Sequence, residues 1–287
     1  MKEDLSTAKN DLASINYVKL IRKEQNTHKG TFGTVLVIGG NSGMPGALYL
    51  ASRAALLMGS GKVILAPLDK SIGVDYLYPE LMFRHYKEVL SDLTSYSVVI
   101  IGPGLGGNKK ALSLLSKIIK SNSKQIFIFD ADALNLIAKH TDLQKKFKLV
   151  TNKIITPHSL EAARLLNTTV ENIEGNRVDS VVKLANKFNA ITLLKGHRSL
   201  IYANNKIYQN ETGNSALSTG GQGDSLCGMI AAFIACGMEN VEALRFAVYL
   251  HGRSADEIVK THGFNGITAS ETTKNARQIL NHILYKS

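Results

Sequence analysis

The 287-residue chain has no tryptophan, only two cysteines and five prolines, and aromatic residues make up just 7% of it. Acidic residues are also scarce: 23 Asp and Glu stand against 34 Lys and Arg, a formal net charge of +11. Single-strand nucleic-acid binders set basic residues among aromatic stacking platforms. Here the lysines are scattered, with small clusters at Lys109-Lys110 and Lys145-Lys146-Lys148, and apart from the single Phe147 no basic run is interleaved with aromatics. Nucleic acid is therefore not expected as a partner, and most of the charge reads as a solvated surface. Cys227 and Cys236 lie nine residues apart in one apolar run. On a helix that spacing puts them on opposite faces, roughly 13.5 Å apart along the axis. A disulfide needs Cα atoms within about 7 Å, so the two cannot pair. With no metal-ligand spacing either, they read as core residues. No segment reaches the roughly 20 apolar residues of a membrane span. Met1 to Lys29 is mixed in charge, without the apolar stretch of a secretory signal. Together these point to the cytoplasm and away from a membrane partner.

What is present is a regular alternation. Thr34–Gly40, Lys62–Ala66, Val98–Ile101, Gln125–Phe129, Lys153–Thr156 and Ala190–Leu194 are short β-branched runs that read as buried parallel strands. Helical stretches lie between them, for example Pro45–Met58, Asn108–Lys120, Leu160–Leu166 and Val178–Phe188. Arg198–Ala203 and Lys206–Gln209, joined by Asn204-Asn205, predict a hairpin. Three helices follow, Asp224–Cys236, Val241–Thr261 and Thr268–Leu284. The expected fold is α/β, a mostly parallel central sheet with helices on both faces. Without repeats or a long linker, residues 1–287 are expected to form one domain, with 1–27 as a helical N-terminal extension.

Small and polar residues collect after the strands: Gly39-Gly40-Asn41, Gly102-Pro103-Gly104, Asp130, Pro157-His158 and Lys195-Gly196. Ligands of open α/β sheets bind outside the carboxyl ends of the strands, so these loops should meet in one crevice. The most informative stretch is Gly220-Gly221-Gln222-Gly223-Asp224, opening an apolar helix. A glycine turn at a helix start leaves backbone N–H groups free for an anion, phosphate above all. Asp224 would stand beside that phosphate as an ionised carboxylate, able to take a proton from a hydroxyl. Taken alone, the same residues are more simply a turn and a helix cap. Asp130 and Asp132 fit helix capping better than water-mediated Mg²⁺ binding.

Further motifs accompany this loop: His28-Lys29-Gly30-Thr31-Phe32-Gly33, Met44-Pro45-Gly46-Ala47, Ile101-Gly102-Pro103-Gly104-Leu105-Gly106, Asp130-Ala131-Asp132-Ala133-Leu134-Asn135, Thr156-Pro157-His158, Leu194-Lys195-Gly196, Thr212-Gly213-Asn214 and Tyr249-Leu250-His251-Gly252. In this order, from about His28 to Asp256, the chain resembles the ribokinase-like ADP/ATP-dependent NAD(P)H-hydrate dehydratases. That resemblance implies nucleotide-dependent dehydration of hydrated NAD(P)H, with ADP or ATP as co-substrate and Mg²⁺ in attendance. It makes Asp224 the catalytic base and Gly220, Gly221 and Gln222 the anion loop. Lys195, Gly196, His197, Arg198, Ser199 and Gly223 would hold the nucleotide. Ala47, Gly104, His158 and Asp224 would line the hydrated-dinucleotide site. His28 and Lys29 would touch substrate phosphates or form a subunit contact. The resemblance also implies a homo-oligomer, a tetramer, and a separate epimerase as partner.

Three positions depart from the family pattern: Ser159-Leu160 where Pro-Gly is usual, Gln222 where threonine is usual, and a bulkier, more basic His197-Arg198. Gln222 is expected to donate a side-chain hydrogen bond to phosphate. Two other readings compete: a kinase of the same fold acting on a vitamin-precursor alcohol, and a non-catalytic nucleotide-responsive binding protein.

Overall fold

The computed structural model describes residues 7–24, 26–121 and 125–285. In chain order the strands are β1 Thr7–Asn10, β2 Thr34–Gly39, β3 Lys62–Pro67, β4 Met82–Phe83, β5 Val98–Ile101, β6 Ile126–Phe129, β7 Lys153–Ile155, β8 Ile191–Leu194, β9 Leu200–Ala203 and β10 Lys206–Asn210. The helices are α1 Pro45–Leu57, α2 Tyr86–Ser91, α3 Lys109–Lys120, α4 Ala131–Lys139, α5 Thr141–Leu149, α6 Ser159–Leu166, α7 Val170–Gly175, α8 Arg177–Phe188, α9 Gln222–Ala235, α10 Asn240–His262 and α11 Ala269–Tyr285. The strands form one sheet in the order β1-β10-β9-β8-β7-β6-β5-β2-β3-β4. Pairing is parallel from β4 across to β8, and β9 turns antiparallel between β8 and β10.

Alternation along the strands splits the core in two. Leu36, Ile38, Val99, Ile101, Phe127 and Phe129 pack on one face with Leu115 of α3, Ile137 of α4 and Leu184 of α8. Val35, Val37, Val98, Ile100 and Ile128 pack on the other with Ala51 of α1, Ile230 of α9 and Phe246 of α10. All these side chains are less than 2% exposed, which is why the central strands are apolar throughout rather than alternating with polar residues. The expected hairpin is present, and Asn204 and Asn205 both take left-handed φ, 51° and 58°. That geometry matches the right-handed twist of the strands it joins.

The amino-terminal segment departs from expectation. Within 1–27, residues 1–6 and Gln25 lie outside the described residues. The remainder is not an extended helix: β1 pairs in parallel with β10, followed by single helical turns at Leu12–Ser14 and Val18–Leu20. Tertiary bonds decide this. Buried Asn10 donates to Asn210 Oδ1 (3.2 Å) and to the Arg245 carbonyl (2.9 Å), and accepts from Arg245 Nε (3.1 Å). Ile15 and Leu20 enter the core of the α9 face. Among the described residues, no helix is long and apolar enough to cross a membrane.

Candidate active site

The carboxyl ends of the parallel strands open on a cavity of about 520 Å³. Lys195, Gly196, His197, Arg198 and Ser199 line it from the turn after β8, with His158 at the start of α6 and Gln222 and Gly223 at the start of α9. Asn210, Thr212, Gly213, Asn214 and His251 complete its polar wall. Asp256 fixes that wall, accepting from Gly213 N and Asn214 Nδ2, both at 2.9 Å. Helix α9 starts at Gly221 with φ 88°, a left-handed conformation that a side chain rarely adopts. No side chain caps it, so its first N–H groups stay available to an anion.

Beneath this turn lies a charged cluster. Lys195 Nζ sits 2.6 Å from Asp130 Oδ1 and 3.2 Å from where a Cβ on Gly223 would stand. Thr156 Oγ1 donates to the same Asp130 oxygen (2.8 Å), and the Cys227 thiol donates to the other (3.2 Å). Burial alone would lower the lysine pKa, but Asp130, with Glu161 behind it, holds the ammonium charged above the ordinary lysine range. Burial raises the Cys227 thiol, and the neighbouring Asp130 charge adds to this, so it stays a neutral donor. Asp224, next in sequence to Gly223, is pushed up to about 7 by burial and then by Asp130, with Lys195 opposing. Glu161 is pushed up to about 7 as well, again chiefly by burial. The expectation of a plainly ionised Asp224 is thus corrected: at neutral pH it is poised between its two forms.

Matching against protein families, a model described as NAD(P)H-hydrate dehydratase covers residues 35–278. The ADP-dependent (S)-NAD(P)H-hydrate dehydratase of Neisseria meningitidis serogroup B is 36% identical over 265 residues, 91% of this chain and 89% of that protein.

The chain belongs to the NAD(P)H-hydrate dehydratase family.

A Bacillus subtilis ADP/ATP-dependent NAD(P)H-hydrate dehydratase, co-crystallised with ATP and Mg²⁺, superimposes with a TM-score of 0.80 at 25% identity, covering 97% of this chain and 99% of that one. The bifunctional NAD(P)H-hydrate repair enzyme of Coxiella burnetii is 34% identical, and this chain spans 53% of its length. A hydroxyethylthiazole kinase from Pyrococcus horikoshii shares the fold, with a TM-score of 0.64 at 14% identity.

Several of the residues singled out in the sequence lie outside this cavity or are engaged by other parts of the protein. Ala47 and Gly104 do not line the 520 Å³ cavity. They meet each other: a Cβ on Gly104, whose φ is 58°, would lie 3.3 Å from Ala47 Cβ and 2.4 Å from the Met44 carbonyl. His158 instead shares its cavity with the Lys195–Ser199 turn. Both its ring nitrogens are occupied, Nδ1 accepting from Leu160 N (3.1 Å) and Nε2 lying 3.3 Å from Glu161 Oε1. With Glu161 Oε2 accepting from His158 N (2.9 Å), the pair forms a capping box where the family has Pro-Gly after the histidine.

The Gln222 amide is engaged within the protein and is not free to donate to an anion, contrary to expectation. Thr219 and Thr272 donate their own hydroxyl protons to Ile267 and Thr268 carbonyls, so both can only accept from Gln222 Nε2 (3.1 and 3.2 Å). Its Oε1 is left facing His251 Nε2 at 3.1 Å. Burial, then the Lys195 charge, lowers His251 to about 4, so a neutral imidazole donates there.

Asp130 occupies the cap position of α4 without making a cap bond, and its oxygens are taken by Lys195, Thr156 and Cys227. Asp132 accepts from Gly106 N (2.8 Å), tying α4 to the Gly104 loop. Capping is therefore not the role of Asp130, and Cys227 is more than core filling. His28 and Lys29 precede β2, at the end of the sheet opposite the cavity. There Gly33 abuts the Ala235 carbonyl at the far end of α9. A 14-residue helix is about 21 Å long, and that length separates both residues from the cavity.

Proposed function

We propose that this chain dehydrates hydrated NAD(P)H at the expense of ADP or ATP, returning NAD(P)H, inorganic phosphate and AMP or ADP. The observation carrying the mechanism is the uncapped start of α9 beside Asp224, with the Lys195 ammonium beneath it. Asp224 takes the proton of the ring hydroxyl, and that oxygen attacks the terminal phosphorus of the nucleotide. The bond to the departing nucleotide breaks while the N–H groups of Gly221 to Asp224 hold the charge on the transferred group. Hydroxide is a poor leaving group and phosphate a good one. The lone pair of the adjacent ring nitrogen expels phosphate, and loss of a proton from the neighbouring ring carbon restores the double bond.

The Lys195–Ser199 turn, Gly223 and the Gly213–Asn214 wall bind the nucleotide in this reading. The hydrated ring approaches Asp224 from the Ala47–Gly104 side. Mg²⁺ needs only one or two carboxylates in addition to phosphate oxygens and water, so it would be held jointly with the nucleotide. The described residues contain no group of three His, Cys, Asp or Glu placed to hold a metal alone. Asp224, Asp132 and Glu161 would face the cation, and when bound it would supply positive charge against the nucleotide's phosphates. A separate epimerase supplies the (S) hydrate, and the working form is a homo-oligomer.

Incubation with hydrated NADH, Mg²⁺ and ADP or ATP tests the reading. NADH absorbance should return only with nucleotide present, with one phosphate released per NADH. Return of NADH without nucleotide, or a stable phosphorylated product as a kinase would leave, overturns it.

A further inference from the structure

Two carboxylates compete for one ammonium in this site, and only one holds it. Asp130 Oδ1 accepts from Lys195 Nζ (2.6 Å) and Thr156 Oγ1 (2.8 Å), and Oδ2 accepts from Cys227 Sγ (3.2 Å). Its side chain is 2% exposed. Among the described residues, no donor stands within hydrogen-bond distance of the Asp224 carboxylate, although that residue is largely enclosed. Yet Lys195 is close enough to both to feel both: its Nζ lies beside Gly223, the residue before Asp224. A buried ion pair repays its desolvation only where further hydrogen bonds satisfy the carboxylate's remaining lone pairs. The hydroxyl of Thr156 and the thiol of Cys227 supply those bonds for Asp130.

We propose that Asp130 is a positioning residue: by holding the Lys195 ammonium against the first turn of α9, it keeps that lysine from pairing with Asp224 and leaves the base free to accept a proton. This rests on Asp224 being the base of the proposed reaction. The lysine still presents its charge to a phosphate at the helix start, but it is denied to the carboxylate. An ion-paired carboxylate is a weaker base than an unpaired one. The charged groups around Asp224 come from several elements: Asp130 after β6, Asp132 on α4, Glu161 on α6 and Lys195 after β8. His158 and His251, on α6 and α10, both lie close enough to feel Lys195. Of all these, Lys195 alone draws Asp224 toward its ionised form.

Asp130→Asn removes the charge that detains the lysine. At saturating concentrations of both substrates, kcat should fall at least about 10-fold as Asp224 acquires a partner. The acid limb of the pH–rate profile should move down by about 1 pH unit or more. Adding Lys195→Met to Asp130→Asn removes the intruding cation, so the limb should return towards wild type and kcat should rise above that of Asp130→Asn. If Asp130→Asn only raises the nucleotide KM, with kcat recovered at saturation and the limb unmoved, Asp130 merely holds Lys195 for the nucleotide. The proposal is then wrong.

Should Asp130→Asn not fold, Lys195→Met alone and the double variant carry the test. Lys195→Met leaves Asp130 facing Asp224, so its limb should move up, and the double should return to wild type. Coincident limbs in the two would overturn the proposal. A ¹³C titration of the Asp224 carboxyl separates this from failure of the proposed reaction. Even if no hydrated NADH turns over, adding Lys195→Met should raise that titration by more in the Asp130→Asn background than in wild type, and equal rises in the two backgrounds count against the proposal.

Discussion

Two buried ion pairs in this molecule share a contact distance of 2.6 Å and differ in almost everything else. Arg53 of α1 grips Asp75 with two hydrogen bonds, Nε to Oδ2 at 2.6 Å and Nη2 to Oδ1 at 2.8 Å, and Leu77 N adds a third at 3.0 Å. The rings of Tyr49 and Tyr78 flank the guanidinium. Burial works to raise the Asp75 carboxyl, but these donors outweigh it and hold it below the usual carboxylate range. The pair is closed: each charge is answered, and the loop before β4 is pinned. The Asp130–Lys195 pair sits in a different company. Asp132, Glu161 and Asp224 crowd around it, more carboxylates than one ammonium can satisfy. The lesson is that a short ion pair says little by itself. Where the surrounding charges balance, it fixes structure, and where they do not, the excess appears as a carboxyl poised to exchange a proton.

The sharpest way to test that contrast is to neutralise the unanswered carboxyl. Asp224→Asn should lower turnover by about 10²–10⁴-fold, because an amide keeps the shape but accepts no proton. Nucleotide affinity measured by calorimetry should be retained or slightly improved, since a negative charge next to phosphate is gone. Near-normal kcat would reduce Asp224 to a helix-start residue.

Breaking the closed pair should act on stability and leave catalysis alone. Asp75→Ala leaves a partly buried guanidinium unanswered and should cost about 3–5 kcal/mol in urea unfolding. The pH–rate profile of the protein that remains folded should be unchanged. A moved acid limb in Asp75→Ala would show that the two regions are not independent.

The pH dependence gives a smaller but more specific effect. As the proposed base, Asp224 would act only when deprotonated, so kcat/KM should rise as pH increases through about 7. The stability consequence has the opposite sense. The folded carboxyl holds its proton to higher pH than the unfolded one, so its favourable contribution is complete below about pH 4 and lost as pH rises through about 7. Asp224→Asn should therefore melt higher than wild type at pH 8, by about 2–4 °C for each kcal/mol regained, and at the same temperature as wild type at pH 4. A constant difference at both pH values would mean that the carboxyl is not the cause.

The mildest effect concerns His158, whose ring is already spent on its own helix. His158→Ala should lose about 1 kcal/mol of stability with the cap, while His158→Asn, able to cap, should lose less. Equal losses in thermal melts would argue that the imidazole does more than start α6.

Much of this arrangement was legible in the residues. The runs at Thr34, Val98 and Ile126 are apolar because both faces of those strands are covered, and they mark the sheet interior and the end at which ligands bind. The glycines of 220–223 indicate the turn that opens α9. Other features depend on contacts between distant segments. Asp130 directly precedes a helix and looks like a cap. Its real partners, Thr156, Lys195 and Cys227, lie 26, 65 and 97 residues further on. Gln222 looks like a phosphate donor until α10 and α11 bring His251 and Thr272 to it. Residues 7–10 become a strand only because β10 offers an edge. Their polar sequence carries no apolar alternation to announce it.

That last pairing also has a cost in time. Asn10 bonds to Asn210 across 200 residues, and Asn210 in turn holds Thr212 in the cavity wall. A ribosome adds about 5–20 residues each second, so β1 spends about 10–40 s without its partner edge. Throughout that interval β1 is an open ribbon of unpaired amides, and the cavity at the strand ends is among the last of the described parts to be walled in.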